Sequence, residues 1–224
     1  MRDELSLSAR SMPKTQPFDD FAAEYDQWFE EHAAAYESEL KAVRTALGDP
    51  GRCVEIGLGT GRFAAPLGIR LGVEPSPAAA KLAEERGIEV LEGVAESLPL
   101  DDAAFDSALM VTAICFVDDA ELALREMHRV LRPGGRAVVG FIDGDSSLGC
   151  EYRQRAVQSR FYAAATFFSA AEVQKLLTLA GFTRIECWQT LFRPLGEVSR
   201  EEEVRPGCGD GSFVVMRALK RKRG

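Results

Sequence analysis

Two periods of apolar residues divide this chain. From Phe18 to Leu47 they recur every three or four positions: Phe18, Phe21, Ala22, Tyr25, Trp28, Phe29, then Tyr36, Leu40, Val43 and Leu47. That is the spacing of one helical face, and two helices fit the span before Gly48-Asp49-Pro50-Gly51 stops the second. The aromatic stripe of the first helix suits either a core-facing surface or a lid over a substrate. Beyond Pro50 short apolar runs alternate with helical stretches. Cys53–Ile56, Ile69–Glu74, Ile88–Leu91, Phe105–Ile114 and Arg136–Ile142 read as strands. Between them, Arg62–Leu67 makes a short helix limited by Pro66, Ser76 caps Ala78–Arg86, and Asp118-Asp119 opens a helix to Leu131.

Strands and helices alternating at this spacing predict βαβ units in a doubly wound, parallel α/β sheet. Residues 143–168 break the alternation as an insertion of mixed helix. Ser169 then caps a last helix to Ala180, and Phe182–Leu191 and Ser212–Leu219 are closing strands. The expected organisation is one domain over 1–224. It has an N-terminal helical cap (18–47), a cofactor-binding core (48–142), an insertion acting as substrate lid (143–168) and a closing helix and strands (169–219).

Composition narrows the partners. At 224 residues with 46% hydrophobic and 28% charged side chains, the chain is an ordinary globular one. A net charge of −8 disfavours a nucleic-acid partner, because no internal basic cluster is present to offset it. The one basic run, Lys220-Arg221-Lys222-Arg223, reads as a solvated tail. No stretch approaches the roughly 20 apolar residues of a membrane span, and Met1–Pro17 lacks the apolar core of a signal peptide. A cytoplasmic protein is expected. Five widely spaced cysteines without a Cys-x-x-Cys pair, and only His32 and His128 beside them, predict neither a metal site nor a disulfide framework.

The chemistry concentrates in Glu55-Ile56-Gly57-Leu58-Gly59-Thr60-Gly61. A buried strand feeding a glycine-rich turn and a helix lets a ligand lie directly against the main chain. Glu55 places an acid before the glycines, which repels a pyrophosphate but suits a ligand carrying ammonium or sulfonium charge. Glu74 closes the second strand, placed to accept hydrogen bonds from both hydroxyls of a ribose.

Glu-x-Gly-x-Gly-x-Gly resembles the first motif of the class I S-adenosylmethionine-dependent methyltransferases. The segment Glu92–Asp106, then Leu131-Arg132-Pro133-Gly134-Gly135, resembles that family's later motifs in order. The likeness runs from about Phe18 to Leu219 and is nearest the small-molecule branch that includes ubiquinone and menaquinone biosynthesis, with its type 11 methyltransferase domain. It implies a Rossmann-like sheet with an antiparallel C-terminal strand, S-adenosylmethionine as cofactor and S-adenosylhomocysteine as product. It also implies roles: Glu55, Gly57, Gly59 and Gly61 at the methionine part, with Tyr25 near its carboxylate. Glu74, with the adjoining Pro75, would lie at the ribose, Ala95 and Glu96 against the adenine, and Thr112 and Ala113 on the sulfur side. Trp28, Phe29, Cys115, Phe116 and Tyr152 are the expected contacts to a small, partly apolar acceptor. Whether the cap closes over its own subunit or exchanges with a neighbour in a homodimer is left open.

Where relatives often carry histidines after the fourth strand, this chain has Ala113-Ile114-Cys115-Phe116, so no catalytic residue is assigned. Methyl transfer from a sulfonium is an in-line displacement in which alignment alone contributes up to ~7–11 kcal/mol. Should a proton have to leave, Tyr25, Asp143, Asp145 and Tyr152 are the candidates, with His32 a more remote one. Two alternatives stand beside the enzyme: a non-catalytic S-adenosylmethionine sensor or accessory protein, and a nicotinamide oxidoreductase. The latter is disfavoured by Glu55 and by Gly-x-Gly-x-Gly in place of Gly-x-Gly-x-x-Gly. Convergence of Cys115, Cys150 and Cys208 on arsenic is a further reading that their spacing does not demand.

Overall fold

The computed structural model describes residues 15–222. The N-terminal stretch before Thr15 and Arg223 of the basic run lie outside the described residues. Three helices open the chain where two were expected: α1 (Gln16–Asp20), α2 (Ala22–Glu31) and α3 (Ala33–Leu47). Breaks fall at Phe21 and His32, whose φ angles are −134° and −118°. The first break has a tertiary cause. Asp19 of α1 accepts a 2.6 Å hydrogen bond from the Ser76 hydroxyl at the start of α5 (Pro77–Glu85). Meanwhile Asp26 of α2 is bound to Arg62 beyond the glycines, and one straight helix cannot reach both anchors.

Five parallel strands carry the core: β1 (Cys53–Ile56), β2 (Leu71–Glu74), β3 (Glu89–Glu92), β4 (Phe105–Val111) and β5 (Leu131–Ile142). Beside β5 lies β8 (Phe213–Lys220), antiparallel to it and to β6 (Phe182–Thr190), and a short β7 (Arg205–Pro206) ends the sheet. The order β3-β2-β1-β4-β5-β8-β6-β7 is a Rossmann-like α/β sheet, mostly parallel, with the antiparallel C-terminal strand inserted. Connections run through α4 (Ala64–Leu67), α5 and α6 (Ala120–Val130), then α7 (Ser147–Arg155) and α8 (Ala170–Leu179). Side chains alternate across β4: Ala108 and Met110 face α6 and α8, whereas Leu109 and Val111 face α3. Ser76 caps α5 as expected, and Ser169 with Glu172 forms a full capping box on α8.

Two expectations are corrected. The fifth strand begins at Leu131, directly after α6, and not at Arg136. Leu131 already pairs with Phe105, and Arg132–Gly135 bulge out before the ladder resumes at Ser107 and Arg136. Lys220 is not part of a solvated tail. Its ammonium donates to the carbonyls of His128 (2.8 Å) and Leu131 (2.7 Å), where α6 leaves its last carbonyls without helical partners.

Candidate functional site

The sheet order reverses between β1 and β4, which is where an open α/β sheet holds its ligand. A cavity of about 890 Å³ opens there at the strands' carboxyl ends. Its walls include Tyr25, Gly57, Gly59, Glu74, Pro75, Ala95, Glu96, Thr112 and Ala113, nine of the residues expected at the cofactor. A second cavity of about 350 Å³ adjoins it, lined by Trp28, Phe29, Cys115, Phe116 and Tyr152 among others. Tyr25, Thr112 and Phe116 line both.

Local geometry explains the glycines. A Cβ on Gly57 would lie 2.4 Å from the Ala113 Cβ, so only glycine lets the end of β4 approach the loop. At Gly61 a Cβ would meet Ile88 at 2.6 Å, so that glycine sits against α5 and β3 instead of lining the cleft. Gly59 faces the cavity and Tyr25.

Glu74 and Glu96 organise this cleft through the backbone. Glu74, 7% exposed, accepts from the amides of Gly59 (2.7 Å) and Ser76 (2.9 Å). Burial raises its pKa, opposed by those two amide bonds. Glu96 accepts from the amides of Asp118 (2.6 Å) and Asp119 (3.2 Å), pinning the loop after β3 to the start of α6. Arg129 braces the same loop from α6: it bonds the carbonyls of Leu98 and Leu100 and pairs with Glu126 and Asp102.

Glu55 departs from its expected position beside the ligand. With Cys53 it points to the α3 face of β1, is 1% exposed, and belongs to the wall of neither cavity. It accepts a bond from the Ala64 amide, and burial pushes its pKa well above the usual range. Its Oε2 has no partner among the described residues.

The cap is fastened by Asp26. Arg62 holds its carboxylate in a bidentate pair (Nε–Oδ1 2.9 Å, Nη2–Oδ2 2.6 Å), joined by the Thr60 hydroxyl at 2.6 Å and Arg86 at 2.7 Å. Burial opposes the charge, but the bonds from Arg62, Thr60 and Arg86 outweigh it and hold the pKa down at about 2. Tyr25 is thereby set at the junction of the cavities, where its phenol bonds Thr112. Thr112 itself has a φ of 51°, an outlier for a β-branched residue that costs of order 1–3 kcal/mol.

The smaller cavity is built between cap and insertion. Phe18 meets Phe116 edge-on at 4.9 Å, Tyr152 stacks on Tyr162 at 4.8 Å, and Arg160 ties the insertion to Glu24 of α2 at 2.7 Å. Of the proton-accepting candidates, Tyr25 and Tyr152 reach this cavity, and burial raises both phenols. Asp143 and Asp145 do not reach it. Asp143 is buried and accepts from the Asp145 and Ala170 amides, a structural duty at the start of α8. His32 stacks on Trp28 outside both cavities. Cys150 and Cys208 are exposed, Cys208 neighbours Cys187, and no described cluster of three or more His, Cys, Asp or Glu could hold a metal.

Sequence reasoning missed Phe161, Tyr162, Phe167 and above all Glu39. Glu39 is a charge on the buried line Ala35-Glu39-Ala42-Ala46 of α3, and that misplaced charge was the available signal.

Comparison with known proteins follows this geometry. A family model described as a methyltransferase domain matches residues 54–139. An uncharacterized protein of Methanocaldococcus jannaschii is 42% identical over 203 residues, 91% of this chain and 98% of its own. Another, from Mycobacterium tuberculosis, is 36% identical over 219 residues, 93% of this chain and 75% of its own. A solved Thermotoga maritima structure, described as a "SAM-dependent methyltransferase, possible histamine N-methyltransferase", aligns with a TM-score of 0.90 at 51% identity. It covers 92% of this chain and 100% of that one.

Proposed function

This chain belongs to the class I S-adenosylmethionine-dependent methyltransferases with the type 11 domain, and on that premise we propose that it binds S-adenosylmethionine in the larger cavity and methylates a small, partly apolar molecule in the smaller one. The observation that carries this reading is the meeting of the two cavities at Tyr25, Thr112 and Phe116.

The residues fit the cofactor. Gly57 lets the end of β4 close on the loop, and Gly59 leaves the space beside Tyr25 free for a ligand. Glu74 keeps lone pairs beyond its two amide bonds for ribose hydroxyls. The unpaired Glu55 Oε2 beneath the loop can still accept a bond, through water or a ligand amine. When bound, the cofactor supplies an electrophilic methyl group on a sulfonium sulfur. The chain's own part is positioning. Thr112 and Tyr25, hydrogen-bonded to each other, form the passage between donor and acceptor, and Phe116 walls it on the apolar side. Ile114, Phe116 and Phe141 keep water from the acceptor side. Alignment at such a passage, worth up to ~7–11 kcal/mol, is the larger share of the acceleration expected where no histidine stands ready as base.

The 18–47 helices act as cap and 143–168 as lid in this reading, and the enzyme works on a free small molecule. Isothermal titration of S-adenosylmethionine tests it. Micromolar binding that weakens about tenfold or more in Glu74→Ala is expected. No binding at millimolar ligand would sink the proposal.

A further inference from the structure

We propose that the methyl acceptor carries an ammonium group, anchored by the Glu39 carboxylate inside the smaller, aromatic cavity, and that the methyl goes to a separate nucleophilic atom of the same molecule, whose lone pair forms the new bond as the carbon–sulfur bond breaks to release neutral S-adenosylhomocysteine. The inference rests on the methyl-transfer reading above and deepens it.

The charged side chains lining that cavity are Glu24, Glu31 and Glu39, and no Lys, Arg or His is among its described lining residues. An anionic acceptor would meet three carboxylates and no counter-charge. Glu24 and Glu31 stand exposed at the rim with partners of their own, Arg160 and Gln27, each at 2.7 Å. Glu39 is different. It is 3% exposed, lines the cavity, and makes no hydrogen bond to any described residue. The phenols of Tyr25, Tyr152 and Tyr162 all feel its charge. A carboxyl this buried ionises only at a cost, and a neutral acceptor does nothing to offset it. An ammonium would satisfy it while resting among the aromatic side chains that line the cavity, Trp28, Phe29 and Tyr162 among them, surroundings that favour a desolvated cation.

Desolvation raises the Glu39 pKa to about 8. The titratable groups around it are Tyr25, Glu24 and Glu31 from α2, Cys115 after β4, and Tyr152 and Tyr162 from the insertion. Leu195 faces it from the loop after β6. On the strands beneath α3, Arg136 and Arg217 are engaged by the carbonyls of Leu47 and Ala46 at the far end of the helix. On the loop, Glu201 pairs with Lys41. Burial pushes all three phenols up, so Glu39 is the cavity group whose ionisation controls cation binding near pH 8. An alkylamine stays protonated to about pH 10. Cation affinity therefore rises as pH increases through about 8 and then levels off.

The test is calorimetric titration of the protein saturated with S-adenosylhomocysteine, using 2-phenylethylammonium, 2-phenylethanol and 3-phenylpropionate, probes of one size and three charges. The cation is expected to bind about tenfold or more tighter than the alcohol, and the anion least. In Glu39→Gln the cation should lose about tenfold while S-adenosylhomocysteine binding, which also reports folding, is unchanged. Should that variant fail to fold, the wild-type pH profile and the cation-to-alcohol ratio still decide. A cation that binds no better than the alcohol, or a flat profile between about pH 6.5 and about pH 8.5, overturns the amine inference. Failure of S-adenosylhomocysteine itself to bind overturns the methyl-transfer reading instead.

Discussion

At Glu39, Glu55 and Glu74 burial is the first cause of a raised carboxyl pKa, that of Glu39 reaching about 8. In the unfolded chain such groups ionise near about 4.3. Between that value and about 8 the unfolded chain holds fewer protons than the fold, so stability conferred by the protonated acid is lost as pH rises. Glu39→Gln removes this residue's share. The variant and the parent are expected to melt alike near about pH 4, with the variant melting higher near about pH 8. Identical differences at both pH values in scanning calorimetry would refute it. Gly59 tests the opposite property, backbone access. With φ at 55° and its open side toward the cavity, Gly59→Ala should strain the loop and fill the cradle, weakening S-adenosylmethionine about tenfold or more while the fold persists. Unaltered affinity by calorimetry would show that the ligand lies elsewhere. Gly59 and Glu74 were legible from sequence because each stands at the carboxyl end of a strand that the local apolar pattern already marks. Glu39 was not, because only the fold sets α3 against a cavity.

The cap is the element on which both cavities depend, and Asp26 is its fastening. Its carboxylate answers two arginines and a hydroxyl, charge-assisted bonds of about 1.5–3 kcal/mol each at most when partly buried. Asp26→Ala is expected to loosen α1 and α2, speeding amide exchange over 16–31 and weakening cofactor binding several-fold, with exchange in β4 and β5 little changed. Exchange rates equal to those of the parent across the cap would contradict this role. Because the pKa is held near 2, against about 3.9 for a free aspartate, this fastening is complete above about pH 4. It is lost only as pH falls through about 2. Helix starts at Ser76 and Ser169 could be read directly, since a cap needs only the residues beside it. The break at Phe21 could not. It arises because Asp19 and Asp26 are pulled toward anchors 57 and 36 residues away along the chain.

Across the whole molecule, S-adenosylmethionine bound as proposed in the larger cavity would bridge the glycine loop, the end of β2, the loop after β3 and the N-terminal helices, all absent as a set from the unfolded chain. A ligand at a hundred times its Kd then adds about 2.7 kcal/mol. In a chain of this size each kcal/mol raises the melting temperature by about 2–4 °C. S-Adenosylmethionine at that excess should therefore raise the midpoint by roughly 5–10 °C, and NAD should leave it unmoved. The reverse pattern in a thermal-shift assay would contradict the cofactor assignment. By itself the sequence determined the alternation of strands and helices, the glycine turn and the acid closing β2. Each follows from side-chain period and backbone sterics over a few neighbouring residues. Tertiary structure alone decided that Glu55 is buried beneath the loop, that Lys220 closes the end of α6, and that Glu39 lines an aromatic cavity. Burial and partnership depend on what distant segments bring to the same place, and that is where the charges of this site are set.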